Sequence, residues 1–174
     1  HSFFPHRPGT AGNLYWPTMG ILLEGKLFLF CYPISTQGSG EWIPDTTVIR
    51  VENPQAKPEE WNWEAYDLGL GNSHQGFHSA LWKEPSYLYF LGRDQGRTVL
   101  ARAKIEALLA GGKREVFEFW TQGKEGPGWG TQPVDLVPLF SPAVTETGLQ
   151  YEPEWGLFLC ATYEPSDPDI YLTT

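Results

Sequence analysis

Glu146-Thr-Gly-Leu-Gln-Tyr151-Glu-Pro-Glu-Trp-Gly156-Leu-Phe-Leu-Cys-Ala-Thr-Tyr163 decides how the chain is read. A polar lead-in opens a strand, an acidic Pro/Gly turn reverses it, and a second strand of β-formers follows. The same grammar occurs at Thr18-Met-Gly-Ile-Leu-Leu23-Glu-Gly-Lys-Leu27-Phe-Leu-Phe30 and at Phe77-His-Ser-Ala-Leu-Trp82-Lys-Glu-Pro-Ser-Tyr-Leu88-Tyr-Phe-Leu91. Anchoring the second strands at Leu27, Leu88 and Leu157 gives spacings of 61 and 69 residues (88 − 27 and 157 − 88), a regularity that points to repeated units. Each unit reads as one blade of a propeller.

Working outward, Leu14 to Leu23 and Leu27 to Ile34 form a strand pair turned at Glu24-Gly25-Lys26, Thr46 to Val51 a third strand, and Trp61 to Asp67 a fourth. The second unit repeats this with Phe77 to Trp82, Tyr87 to Gly92, Thr98 to Ala103 and Glu115 to Trp120. A short helix over Lys104 to Ala110, ended by Gly111-Gly112, joins its last two strands. Residues 121–145 read as a long Gly/Pro-rich loop, and the third unit supplies two lead strands and Asp169 to Thr173. The expected fold is all-β, with about three β-propeller blades of four antiparallel strands each. Residues 1–174 are expected to be a single propeller domain or a fragment of one, with repeats at 13–70, 71–123 and 140–174 and the loop at 121–145.

The chain's 174 residues, 41% of them hydrophobic, are enough for one sizeable core. A net charge of −9 excludes a nucleic-acid partner, which needs clustered Lys and Arg. The longest apolar run, Ile21 to Tyr32, is broken by Glu24-Gly25-Lys26, so no membrane span is expected. Cys31 and Cys160 fall out of phase in their strands, which argues against a disulfide, and no Cys/His spacing of a metal site occurs. Neither a cofactor nor a metal is implied. The chain begins at His1 with no signal-peptide pattern, and is expected to be processed or excerpted.

Tyr15-Trp-Pro-Thr-Met-Gly-Ile, Phe77-His-Ser-Ala-Leu-Trp, Glu146-Thr-Gly-Leu-Gln-Tyr-Glu-Pro-Glu-Trp-Gly and Asp169-Ile-Tyr-Leu-Thr, in that order, resemble successive hallmarks of a bacterial propeller family. That family is catalogued as a domain of unknown function (the DUF4185 type), and some members are endo-D-arabinanases. Its architecture is similar to the five-bladed propellers of arabinanases and related glycosidases. The resemblance implies a carbohydrate-active propeller, a glycoside hydrolase of furanose-rich polysaccharide such as D-arabinan, and a secreted or extracytoplasmic address. The partner is then a polysaccharide or oligosaccharide. Five blades at this spacing need roughly 300 residues, so the missing blades of the same protein are a further expected partner.

In a propeller the first strand of each blade lines the central channel, so residues entering those strands meet at one mouth. Aligning Leu23, Trp82 and Tyr151 makes Thr18, Phe77 and Glu146 equivalent, with Trp16, Gln75 and His78 close by. Glycoside hydrolysis needs two carboxyls, one protonated and one ionised. Glu146 is the catalytic candidate; a solvated turn residue is the plainer alternative. Trp16, Thr18, His74, Gln75, Phe77 and His78 are the substrate-binding candidates, though Trp16 could pack between blades and the two histidines could be structural. Trp61 and Trp63 are spaced for one face of an outer strand and read as core. Asp45, Asp94 and Asp135 are available as a second carboxylate, but Asp94 follows a second strand and Asp45 precedes a third, so neither is expected at the channel. In propeller glycosidases the base often comes from a first-blade Asp, and no such position precedes Trp16. The other class of function that fits is a non-catalytic, carbohydrate-binding or scaffolding propeller using the same mouth.

Overall fold

The first hairpin shows how local chemistry sets the architecture. β1 (Asn13–Leu23) and β2 (Lys26–Ser35) are joined by Glu24 and Gly25 at φ 45° and 81°. A two-residue turn with both central residues in the left-handed region matches the right-handed twist of the strands it joins. β3 (Thr47–Val51) and β4 (Trp63–Asp67) complete an antiparallel sheet of order β1-β2-β3-β4. Before β4 a 3₁₀ turn opens with Pro58, and the Trp61 indole donates to the Ala56 carbonyl at 3.0 Å. The computed structural model describes residues 13–35, 45–69, 75–140, 146–164 and 167–173.

The second sheet contains β5 (Gln75–Lys83), β6 (Tyr87–Asp94), β7 (Arg97–Lys104), β8 (Phe117–Gly123) and β9 (Gly126–Gly130), again in sequential antiparallel order. Between β7 and β8 lies α1 (Ile105–Leu109), which buries Leu108 and is terminated by Gly111 at φ 96°. Five strands, where the sequence reading gives four, extend the sheet to Gly130, beyond the expected repeat end at 123. Gly126-Pro-Gly-Trp-Gly has poor strand propensity, yet it forms an edge strand, where a missing proline N–H costs no ladder bond. Trp129 secures it by packing on Trp120, with ring centroids 5.2 Å apart, while the Arg102 guanidinium lies 4.0 Å from the indole.

More of the expected loop at 121–145 is structured. β7 and β8 pair only from Ala101 to Ala103, and the chain returns to bridge Thr121 through Leu136 and Thr98 through Phe140. Backbone bonds from Leu139 N to Thr98 O (2.8 Å) and from Thr98 N to Phe140 O (3.0 Å) hold this wedge in place. The third sheet, β10 (Glu146–Glu152), β11 (Leu157–Glu164) and β12 (Asp167–Thr173), is antiparallel in the order β10-β11-β12.

β5 lies against both β1 and β10, so the first strands of the three sheets are neighbours. The main core fills the space between sheets one and two, with Phe28, Phe30 and Val48 meeting Phe77, Phe90, Phe117 and Phe119. Phe30 and Phe90 stack at 4.8 Å and Phe77 and Phe119 at 5.2 Å, offset and tilted as aromatic quadrupoles prefer. A second cluster on the other face of sheet one contains Cys31, Ile49 and Val51 with half-buried Trp61 and Trp63, in accord with the spacing of those tryptophans. A third joins Leu91 of β6 to Cys160 of β11.

Cys31 and Cys160 therefore sit in different clusters and are both free and buried. Burial pushes the Cys31 thiol up to about 12 and raises that of Cys160, because a thiolate is poorly solvated there. Titration with a thiol-reactive chromophore should detect almost no thiol in the native protein and both after denaturation. Rapid native labelling of Cys31 would contradict its position.

Candidate functional site

β1, β5 and β10 all begin at the same end of their sheets, here termed the upper end, and β2, β6 and β11 finish there. Measured from the anchoring leucines, Tyr15 pairs with Pro33, Gln75 with Asp94 and Glu146 with Tyr163, each partner six residues on (33 − 27, 94 − 88, 163 − 157). One level below, Trp16 pairs with Tyr32, Gly76 with Arg93 and Thr147 with Thr162 (32 − 27, 93 − 88, 162 − 157).

This register corrects the alignment of Thr18 and Phe77 with Glu146. The first strands carry different irregularities: Thr18 is an extra residue in β1 between Pro17 and Met19, whereas Phe77, His78 and Ser79 of β5 all stand opposite Gly92. β10 pairs without interruption, so counting back from the turns drifts by a different amount in each strand. Glu146 is level with Gln75 and Tyr15.

The candidate residues separate accordingly. Trp16 is 60% exposed at the upper end of β1. Thr18 is also exposed, and its hydroxyl donates to the Phe30 carbonyl at 3.0 Å, tying the bulge to β2. Phe77 is completely buried and belongs to the main core, so it presents no surface to a ligand. Its amide donates to the Thr46 hydroxyl at 2.7 Å, which links sheets one and two. Its ring also overlies Gly92, where a Cβ would lie 2.6 Å from Phe77 and 2.4 Å from the Gly76 carbonyl oxygen. His74 lies outside the described residues, as do the side chains of Gln75, His78 and Glu146, for which strand register alone is given.

The aspartates are placed unambiguously. Asp45 caps backbone on both oxygens, accepting from Thr46 N at 2.7 Å and Gly69 N at 3.0 Å, and is a structural clamp. Asp135 is exposed beside outer strand β8, at φ 50°, and its carbonyl accepts from Gln122 N. Asp94 differs from both. β6 runs two residues past Gly92 and brings Asp94 into register with Gln75 of the first strand, contrary to the expectation that it follows the second strand. It is only 4% exposed; Arg97 donates to Oδ2 at 3.4 Å, and Oδ1 is buried without a hydrogen-bond partner. The signal in the sequence is Asp94-Gln-Gly-Arg97, a two-residue hairpin turn with Gln95 and Gly96 at φ 49° and 79°.

Lower in the structure, a cavity of about 330 Å³ separates sheets two and three, lined by Trp82, Tyr89, Leu91, Leu149, Phe158 and Cys160 among others. Trp82 meets Tyr151 at 5.4 Å and Phe158 at 5.1 Å across this seam. Its apolar walls suit side-chain packing better than a hydroxyl-rich ligand. Among the described residues no group of three His, Cys, Asp or Glu is arranged to hold a metal, and no helix is long and apolar enough to cross a membrane.

No family model matches the chain, and no curated protein matches it either. In fold it is similar to the crystal structure of a "putative hydrolase" from Bacteroides ovatus ATCC 8483, with a TM-score of 0.62 and 15% identity. The match covers 92% of this chain and 45% of that one, so the chain spans less than half the length of the protein it resembles. The all-β, antiparallel arrangement is what the two share.

Proposed function

We propose that the chain is part of a β-propeller hydrolase acting on polysaccharide, in which the three sheets are blades and the upper end is the mouth of a central channel. Three consecutive antiparallel meanders with neighbouring first strands support the propeller, and the Bacteroides protein's name supports hydrolysis. The family resemblance of the upper-end motifs supports a furanose-rich glycan such as D-arabinan. Glu146 is the proton donor in this reading. The observation that carries it is Trp16: an indole left 60% exposed, one register level from the strand position of Glu146. An aromatic face at that end of the sheets offers a sugar ring a platform, and glycan cleavage requires a carboxyl acid as well, the role given to Glu146.

The test is made on the full-length protein with a panel of soluble arabinans and other polysaccharides, following reducing ends and binding together. Trp16→Ala should weaken glycan affinity roughly 2- to 10-fold, as expected from a stacking contribution of about 0.5–1.5 kcal/mol, and Trp16→Phe should retain most of it. Binding that depends on Trp16 without release of reducing ends would favour a non-catalytic binding propeller. Affinity indifferent to Trp16 would remove the platform.

A further inference from the structure

We infer that the cavity between sheets two and three binds a small monocarboxylic acid with an apolar body, its carboxylate held at the upper end by Arg93 and Thr98. Strand register places this pair. β6 and β7 run together without a bulge, so Tyr89, Leu91 and Arg93 share one face of sheet two, and Arg93 stands across from Thr98 as Leu91 stands across from Leu100. Leu91 and Leu100 line the cavity. Arg93 and Thr98 are the next rung above them on the same face, roughly 6–7 Å along the strands. Phe140, which also lines the cavity, accepts from the Thr98 amide at 3.0 Å and so ties this rung to the cavity wall.

Both polar groups are left without partners. Thr98 is 1% exposed, and its hydroxyl is buried with no hydrogen bond. Its backbone N–H and C=O are both turned to residues 139 and 140, away from β6, so Arg93 and Thr98 form the non-hydrogen-bonded kind of pair, in which facing side chains stand closest. Arg93 is half-buried and makes no hydrogen bond or ion pair among the described residues. The other described arginines are engaged: Arg50, Arg97 and Arg102 with carboxylates and Arg114 with the Thr131 carbonyl. A void left by packing alone has no use for an unpaired cation and an orphaned hydroxyl at one end, since each costs free energy until it is satisfied.

The walls set the ligand class. Trp82, Leu91, Leu100, Leu149 and Phe158 surround about 330 Å³, near the lower end of the roughly 300–1,000 Å³ of small-molecule sites. That lining takes a short aliphatic or aromatic body. Glu84, at the lower end, accepts from the Trp82 indole at 3.1 Å and repels an anion from that side, so the acid enters with its head upward. A guanidinium fork grips both oxygens of a carboxylate, and the Thr98 hydroxyl donates a further bond to one of them. None of this requires the hydrolase reading or the residues assigned to it.

The test titrates sodium octanoate into the full-length protein by calorimetry, with 1-octanol as the uncharged probe of the same length. Octanoate should saturate a single site per chain, and 1-octanol should bind roughly 10- to 100-fold more weakly, as expected from losing hydrogen bonds to a charged group. Arg93→Gln should bring octanoate down to the level of 1-octanol and leave 1-octanol unchanged. Thr98→Val keeps the shape and removes the orphaned hydroxyl, so octanoate should weaken roughly 2- to 10-fold while Tm holds or rises. Leu100→Phe, which fills part of the cavity, should weaken both probes. Equal affinity for the two probes, no saturable octanoate site, or octanoate binding indifferent to Arg93→Gln would each overturn the proposal. Undiminished binding by folded Leu100→Phe would place the acid elsewhere, with the same result. A fall in Tm for Thr98→Val with octanoate affinity unchanged would assign the hydroxyl to the fold and overturn its part in the site.

Discussion

Glu146→Gln in the full-length protein is expected to lower kcat by about 10²–10⁴-fold while leaving glycan affinity within a few-fold of the parent. Gln matches Glu in shape and can still hydrogen-bond a sugar oxygen, but it has no proton to give the leaving group. The loss should therefore fall on kcat, the signature of an interaction made only in the transition state. Substrates with an activated leaving group, such as aryl glycosides, need little protonation and should lose much less than the natural polymer. That split identifies an acid and distinguishes it from a general structural defect. The expectation rests on strand register, which makes Glu146 level with Gln75 and its partner Asp94. Parent turnover on the polymer would make Glu146 a solvated residue at the start of β10.

A second large effect is expected at a residue that the sequence assigns to the ligand. Phe77→Ala should destabilise the fold by about 3–5 kcal/mol, the usual cost of removing a buried aromatic side chain. Phe77 is completely buried, stacks on Phe119 at 5.2 Å and covers Gly92. Its removal opens a cavity between sheets one and two that rigid neighbouring rings cannot collapse into. Urea or thermal unfolding should show the loss, on the order of 6–20 °C in Tm for a chain of this size. Glycan affinity per folded molecule should change little. A variant with parent stability and weakened binding would restore Phe77 to the ligand site.

The contrast between Phe77 and Glu146 shows which part of the molecule was legible. Alternation of β-formers around Leu27, Leu88 and Leu157, with a turn before each, locates all three lead hairpins, because side-chain period and turn chemistry are written locally. The helix after Ala103 is equally local, since Gly111 supplies its stop. Register along the first strands is not local. Thr18 and the residues 77–79 enter bulges that leave no mark in composition, and each shifts the count of everything toward the upper end. β9 was missed because glycine and proline ordinarily report a loop; what holds this segment as a strand is Trp129 against Trp120 and Arg102, contacts between distant positions. The end of β6 falls two residues beyond Gly92, and the Gln95-Gly96 turn is the local signal for it, since it implies a hairpin that continues on either side.

The strictly sequential strand order has a consequence for how the molecule assembles. Every strand of the three sheets pairs with its neighbour in the chain, so hairpin formation requires closing only the intervening loops, and the entropy of doing so grows slowly with their length. Such pairings form on microsecond timescales. Contacts of high sequence separation are reserved for docking: β5 against β1 and β10, Phe30 against Phe90, and the return of Leu136 and Phe140 between β7 and β8. The slow step of folding therefore belongs to the seams between sheets, not to the sheets themselves. The aromatic contacts that join one sheet to the next, Phe30 with Phe90 and Trp82 with Phe158, are among the last features of the molecule to form.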